Sequence, residues 1–153
     1  MSIRSTLQKL KMKQLASIEE ENKLFSASKI PVKRILVGTN SSNGEEKLKL
    51  LLPRLKGKKV VKLSTEGDGI VITKKDVNIF NVPRKRILER IRSERFELFI
   101  DLCDNFFFPV ASAPVVCRIP YRVSFSNNVP KPYANIILPP LPAGIDYLLR
   151  IFS

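Results

Sequence analysis

At 153 residues, with 44% hydrophobic and 27% charged side chains, the chain has the size and composition of one globular domain with a proper core. A net charge of +13 points to a polyanionic partner, or else to a basic background that implies no partner at all. With no histidine and two cysteines, Cys103 and Cys117, the commonest general base and metal ligand are missing, and neither a metal site nor a cofactor is expected. The two cysteines read as buried free thiols rather than a disulfide. The charged N-terminus lacks the apolar core of a signal peptide, and no run approaches the length of a membrane span. The chain is therefore expected in the cytoplasm, with attachment to the inner membrane surface left open.

In chain order, residues 1–30 form a basic amphipathic helix and linker, and 31–153 an α/β domain. Ile3, Leu7, Leu10, Leu15 and Ile18 recur at helical spacings over Ser2 to about Leu24, with Arg4, Lys9, Lys11 and Lys13 between them. Glu19 to Glu21 follow, an order of charges opposite to the one the helix dipole favours. Stability must then come from packing on the domain, or from a partner or anionic lipid facing the four cations. Ser26 to Pro31 reads as a linker.

Lys33 to Gly38 reads as the first core strand, followed by a polar loop, Thr39 to Gly44, and a leucine-rich helix from Glu45 to Leu55 that Pro53 should kink or shorten. Lys59 to Ser64 is a second strand and Glu66 to Gly69 a turn. Ile70 to Thr73 and Val77 to Phe80 read as short strands, with a hairpin as the alternative for this region. Pro83 suits the first turn of a basic helix, about Arg84 to Arg95.

That helix leads into Phe96-Glu97-Leu98-Phe99-Ile100-Asp101-Leu102, a run of large side chains that fits a central strand buried on both faces. Val110 to Cys117 reads as a buried helix, Tyr121 to Phe125 and Ala134 to Leu138 as strands, and Ala143 to Phe152 as a closing helix. The core is expected to hold Ile35, Leu36, Val61, Leu98, Ile100, Val123 and Ile136. Strands alternating with helices predict a single Rossmann-like domain, with a mostly parallel sheet of five or six strands.

Such sheets bind ligands beyond the carboxyl ends of their strands. Thr39, Ser41, Ser42, Asn43 and Gly44 lie in the first such loop and could hold an anion, although the glycine pattern of a phosphate cradle is missing. Glu45, Asp101 and Asp104 are the candidate acid–base groups; capping of the segment after Asn105 is the plainer role for the two aspartates. Arg84, Lys85, Arg86, Arg90 and Arg92 form a basic patch suited to phosphates, without the neighbouring aromatics of a single-strand binder.

The segment from Arg90 to Phe125, with Phe96 to Leu102 and later Tyr121-Arg122-Val123-Ser124-Phe125, resembles the N-terminal domain of heptosyltransferase-type glycosyltransferases. That family carries a strand of the type F-D-L-x-I-D-L and later one of the type Y-R-I-G-F; Glu97 stands here for the first Asp and Ser124 for the Gly. The resemblance implies a catalytic acid in the first loop, where Glu45 occupies a comparable place, and a second domain that holds the nucleotide-sugar. The chain is also similar in length and pattern to small single-domain bacterial proteins, notably from Bacteroidetes. Three functions are expected from these likenesses and the charge. The first is a non-catalytic, free-standing relative of the acceptor-side domain that binds a protein or membrane partner. The second is the acceptor half of a split transferase. The third is a nucleic-acid-associated basic protein.

Overall fold

Alternation along the central strands decides how the layers stack. The computed structural model describes residues 3–19 and 29–153, with the backbone alone for residues 3 and 13–19. Six strands, β1 (Arg34–Gly38), β2 (Lys59–Ser64), β3 (Ile70–Val71), β4 (Leu98–Asp101), β5 (Tyr121–Ser124) and β6 (Ile136–Ile137), form one all-parallel sheet in the order 3-2-1-4-5-6. This is the Rossmann strand order, and the topological switch point lies between β1 and β4. Ile35, Val37, Leu98, Ile100 and Val123 face one side, where they meet α2 (Ser42–Leu51) and α5 (Ala143–Ile151). Leu36, Leu63 and Phe99 face the other, against α3 (Lys85–Glu94) and α4 (Phe108–Val116). The expected core residues all lie in these layers, with Val61 and Ile136 half-buried near the sheet edges.

Local chemistry explains most boundaries. Ser41 caps α2, its hydroxyl accepting from the Gly44 amide at 3.2 Å. Pro53 ends the α-helix early, and Leu52–Leu55 continues as a 3-10 turn before Gly57 takes a left-handed φ of 82°. Glu97 fixes the amino end of the sheet: its Oε1 accepts from the amides of Lys33 (2.8 Å) and Arg34 (3.2 Å). Arg122 of β5 is buried, donating from Nε to the Pro132 carbonyl and from Nη1 to that of Ile119. The chain enters and leaves the sheet at neighbouring points, since Ile30 and Phe152 form a parallel bridge and the Ser153 amide donates to the Ile30 carbonyl.

Helix α1 (Ile3–Glu19) adds a further layer. Met12 packs on a cluster containing Val82, Phe108, Val115 and Tyr133, and Gln8 accepts from the Asn81 side chain at 3.2 Å. Helix α4 thus lies between the sheet on one side and this cluster on the other. That is why it is apolar all round, as a doubly covered helix must be. Leu10 is exposed. The expected helix end near Leu24, the linker residues 26–28 and the side chains of Lys13, Leu15 and Ile18 lie outside the described residues.

One expected element is absent from the sheet. Val77 to Phe80 is not a strand: a 3-10 turn, Lys74–Asp76, precedes it, and Val77 makes a single antiparallel bridge to Pro83. The Asn78 side chain accepts from the amides of Phe80 (2.9 Å) and Val82 (3.2 Å), so a polar residue folds this β-branched run into a loop. The last strand is also shorter than Ala134 to Leu138, because the Asn135 amide group is spent on Pro120 and Arg122.

Candidate functional site

Two places fit the expectations, and they differ in how full they are. At the switch point, β1 ends in Gly38 and β4 in Asp101. A Cβ on Gly38 would meet Val110 Cγ1 at 2.6 Å, and one on Gly44 would meet the Leu102 carbonyl at 3.0 Å. Helix α4, the first loop and the end of β4 are therefore in direct contact. Of the five residues expected to hold an anion, Thr39 and Gly44 are buried, Ser42 and Asn43 are exposed, and Ser41 is committed to the cap. The anion beside this loop is the chain's own Asp104. Its Oδ2 accepts from the Ser41 hydroxyl at 2.6 Å, and Lys47 approaches at 3.5 Å. The Ser41 hydrogen bond, followed by the charge of Lys47, holds the Asp104 carboxyl below the usual carboxylate range.

The candidate acids are likewise engaged. Asp101 is 5% exposed, and burial pushes its carboxyl up, opposed by hydrogen bonds from the Cys103 amide (2.9 Å) and thiol. Burial and the neighbouring Asp101 push the Cys103 thiol far up in turn, which keeps it protonated and a poor nucleophile. Cys117 is also a free thiol, raised by burial to about 11. Neither aspartate caps α4, contrary to expectation; the N-cap position is Phe107, with no side-chain cap. The short loop after Asp101 turns its carboxylate back to Cys103 and leaves Asp104 to cross to Ser41. Glu45 Oε1 accepts from Lys62 Nζ at 2.7 Å, and Lys62 also pairs with Asp68 at 2.9 Å. The Asp68 and Glu45 carboxylates raise the pKa of Lys62, and Glu45 is thus engaged in an ion pair. Among the described residues, no cluster suited to a metal ion occurs.

The second place is an open groove of about 600 Å³ between α1, the loop before α3, α3 itself and the end of α4. Five cations line it: Lys11, Arg84, Lys85, Arg86 and Arg92. Val82 and Leu88 are buried beneath them, and Phe80 and Val116 are half-buried, giving an apolar floor under a charged rim. Asp76 positions the rim. Its Oδ2 accepts from the Thr73 amide (2.9 Å) and hydroxyl (2.7 Å), while its Oδ1 accepts from Arg86 Nη2 at 2.6 Å. Its own carbonyl accepts from the Arg84 amide. The Thr73 amide and then Arg86 pull the Asp76 carboxyl down to about 2.

No protein-family model, curated protein or solved structure matches the chain.

What the groove takes follows from its chemistry. Arg84 and Arg92 donate to the carbonyls of Lys75 (3.1 Å) and Val116 (3.5 Å), contacts that occupy N–H groups and leave the charge in place. Helix α3 has no acid in its first turn and carries Arg84, Lys85 and Arg86 there. Cations at that end oppose the helix dipole by about 0.3–1 kcal/mol each, a cost that an anionic ligand would reverse. The fold brings together two patches that are far apart in sequence, Lys11 of α1 and four of the five residues of the basic patch. Arg90 is exposed on α3 and does not line the groove, nor do Arg4 and Lys9, which are exposed on α1. Phe80 and Asn78 were missed as site residues because Val77 to Phe80 reads as a strand. The signal that could have found them is Asn78 two residues ahead of Phe80, an Asx-turn spacing.

Proposed function

We propose that the chain is a non-catalytic binding module that takes a polyanionic partner in the groove between α1 and α3. We further propose kinship with the acceptor-side domain of heptosyltransferase-type glycosyltransferases, a reading supported by the runs Phe96 to Leu102 and Tyr121 to Phe125. The observation that carries the binding role is the convergence of Lys11, Arg84, Lys85, Arg86 and Arg92 on one open groove. The state of the switch point agrees with it, since Asp104, Ser41 and Lys47 satisfy one another in the crevice where open α/β sheets place ligands. The parallel sheet supplies a rigid frame, and Asp76 fixes the rim against it.

The test is binding of inorganic polyphosphate by calorimetry at about 50 and about 200 mM salt. Lys85→Gln combined with Arg92→Gln removes two exposed rim charges and should weaken binding at least about tenfold, with a shallower salt dependence. Binding that is unchanged in this double variant, or absent in the parent protein, would refute a polyanion site at the groove.

A further inference from the structure

We infer that the groove accommodates a single-stranded nucleic acid segment, its backbone phosphates on the cationic rim and a base against Phe80. The inference rests on the polyanion-binding reading and narrows the partner. A purely inorganic polyanion would use the rim and leave the half-buried ring of Phe80, which lies over the buried Val82 and Leu88, uncontacted. A single strand offers both chemistries at once, because charged phosphates alternate with flat apolar bases. Stacking of a base on an aromatic side chain accepts any sequence, while clustered Lys and Arg track the backbone.

Shape separates this partner from two others that carry the same charge. A duplex keeps its bases stacked inside and has nothing to offer Phe80, which is half-buried in the groove wall. An anionic bilayer is broad, and its headgroups would meet the rim without reaching the floor. Leu10 of α1, 56% exposed, is not part of the groove lining, so a bilayer docked there would not engage the floor either. The segment that supplies Phe80 is also held in place. Asn78 bonds the amides on both sides of Asn81, Asn81 bonds Gln8 of α1, and the Asp76 turn precedes it. Phe80 is thus presented by a loop clamped between α1 and α3, the two elements that carry the cations.

The experiment is fluorescence anisotropy with the full chain and a labelled oligouridylate of about 12 nucleotides. A duplex of equal length and phosphatidylserine-rich vesicles serve as competitors. The strand should bind at least about tenfold tighter than the duplex. The slope of log K against log salt should be near −3, about 0.7 for each of four phosphates. Phe80→Leu keeps an apolar side chain against the neighbouring cluster and removes the aromatic face. It should lose about tenfold in strand affinity with the salt slope unchanged. Lys85→Gln with Arg92→Gln should instead flatten the slope by about 1.4. Should Phe80→Leu fail to fold, the duplex comparison and the charge variant still decide the matter. Equal affinity for duplex or vesicles, or an undiminished Phe80→Leu, would overturn the inference. Polyphosphate binding without oligouridylate binding would leave the polyanion site standing and remove the nucleic acid; loss of both would remove both.

Discussion

The Ser41 hydroxyl donates to Asp104 Oδ2 at 2.6 Å, joining the loop after β1 to the loop after β4 across the topological switch point. The same hydroxyl oxygen accepts from the Gly44 amide, so one side chain caps α2 and closes the crevice. Ser41→Ala should therefore cost more than a lost cap alone, about 1–2 kcal/mol in urea unfolding. Asp104→Asn should cost less in the Ser41→Ala background than in the parent, because the two share one bond. The Asp104 carboxyl is held below its usual range, so its contribution is present above the ordinary carboxylate pKa and lost as pH falls through the lowered one. Additive losses in the double-mutant cycle would show that the contact carries no energy.

Asp76 gives a clearer acid dependence. Its carboxyl is held at about 2 against a usual 3.8, which favours the charged form in the folded protein. The sign follows: the stabilisation is complete above about pH 4 and fades as pH falls through 2, and its full size is up to about 2 kcal/mol. Asp76→Asn should lower stability at pH 6 by about that amount and flatten the decline between pH 5 and pH 2. It should also release the Arg86 guanidinium from its carboxylate partner, whereas Arg84, held through the backbone carbonyls of Asp76 and Lys75, stays in place. Stability profiles of equal slope in the two proteins would contradict this role.

Ile100 lies in β4 between β1 and β5 and is fully buried. Ile100→Ala should cost about 2–5 kcal/mol in denaturant unfolding, the range for a buried aliphatic truncated in a close-packed layer. A loss below about 0.5 kcal/mol would mean that the strand is not central to the core.

Helix α1 is expected to contribute both packing and charge. Met12→Ala removes a half-buried contact and should cost about 1 kcal/mol, lowering the melting temperature by about 2–4 °C. A chain starting at Lys29 should show a larger drop and weaker polyphosphate binding, because Lys11 leaves the rim. If that shortened chain melted like the parent, the contacts of Met12 and Gln8 would be incidental.

The sheet was legible in the sequence because parallel strands buried on both faces are written as apolar runs, and Leu98 to Ile100 is such a run. The all-apolar pattern of α4 likewise announced a buried helix, and the structure covers it on two sides. Local polar chemistry overrode the pattern elsewhere. Asn78 turned Val77 to Phe80 into a loop against its β-branched composition, and Pro53 converted the end of a leucine-rich helix into a 3-10 turn. Arg122 sits in an alternating strand and carries a charge, yet it is buried, because the carbonyls of Ile119, just before the strand, and Pro132, after it, meet its guanidinium. The basic helix could be read directly, but the groove could not. Lys11 joins Arg84 and Arg92 only through the docking of α1 on the far side of α4, and Phe80 faces the groove only because Asn78 folds its segment into a loop. Thr39 to Gly44 and Asp104 lie beyond the ends of β1 and β4, and Asp101 is the last residue of β4. Their mutual satisfaction depends on Asp104 reaching 63 positions back to Ser41, a pairing no local pattern encodes.

The bridge between Ile30 and Phe152 has a consequence for engineering. The Ile30 amide donates to the Ile151 carbonyl at 2.8 Å, and Lys58 Nζ gathers the carbonyls of Val32 and Ser153, so both ends of the α/β unit meet at one seam beside the amino ends of the strands. A unit with adjacent ends can be spliced into a surface loop of another protein without stretching either. Residues 30–153 could thus be joined to a host whose loop ends are only one strand spacing apart, with loss of the Met12 and Gln8 contacts that α1 makes. Such a graft would leave the carboxyl ends of the strands and their filled crevice at the opposite edge of the sheet, away from the splice.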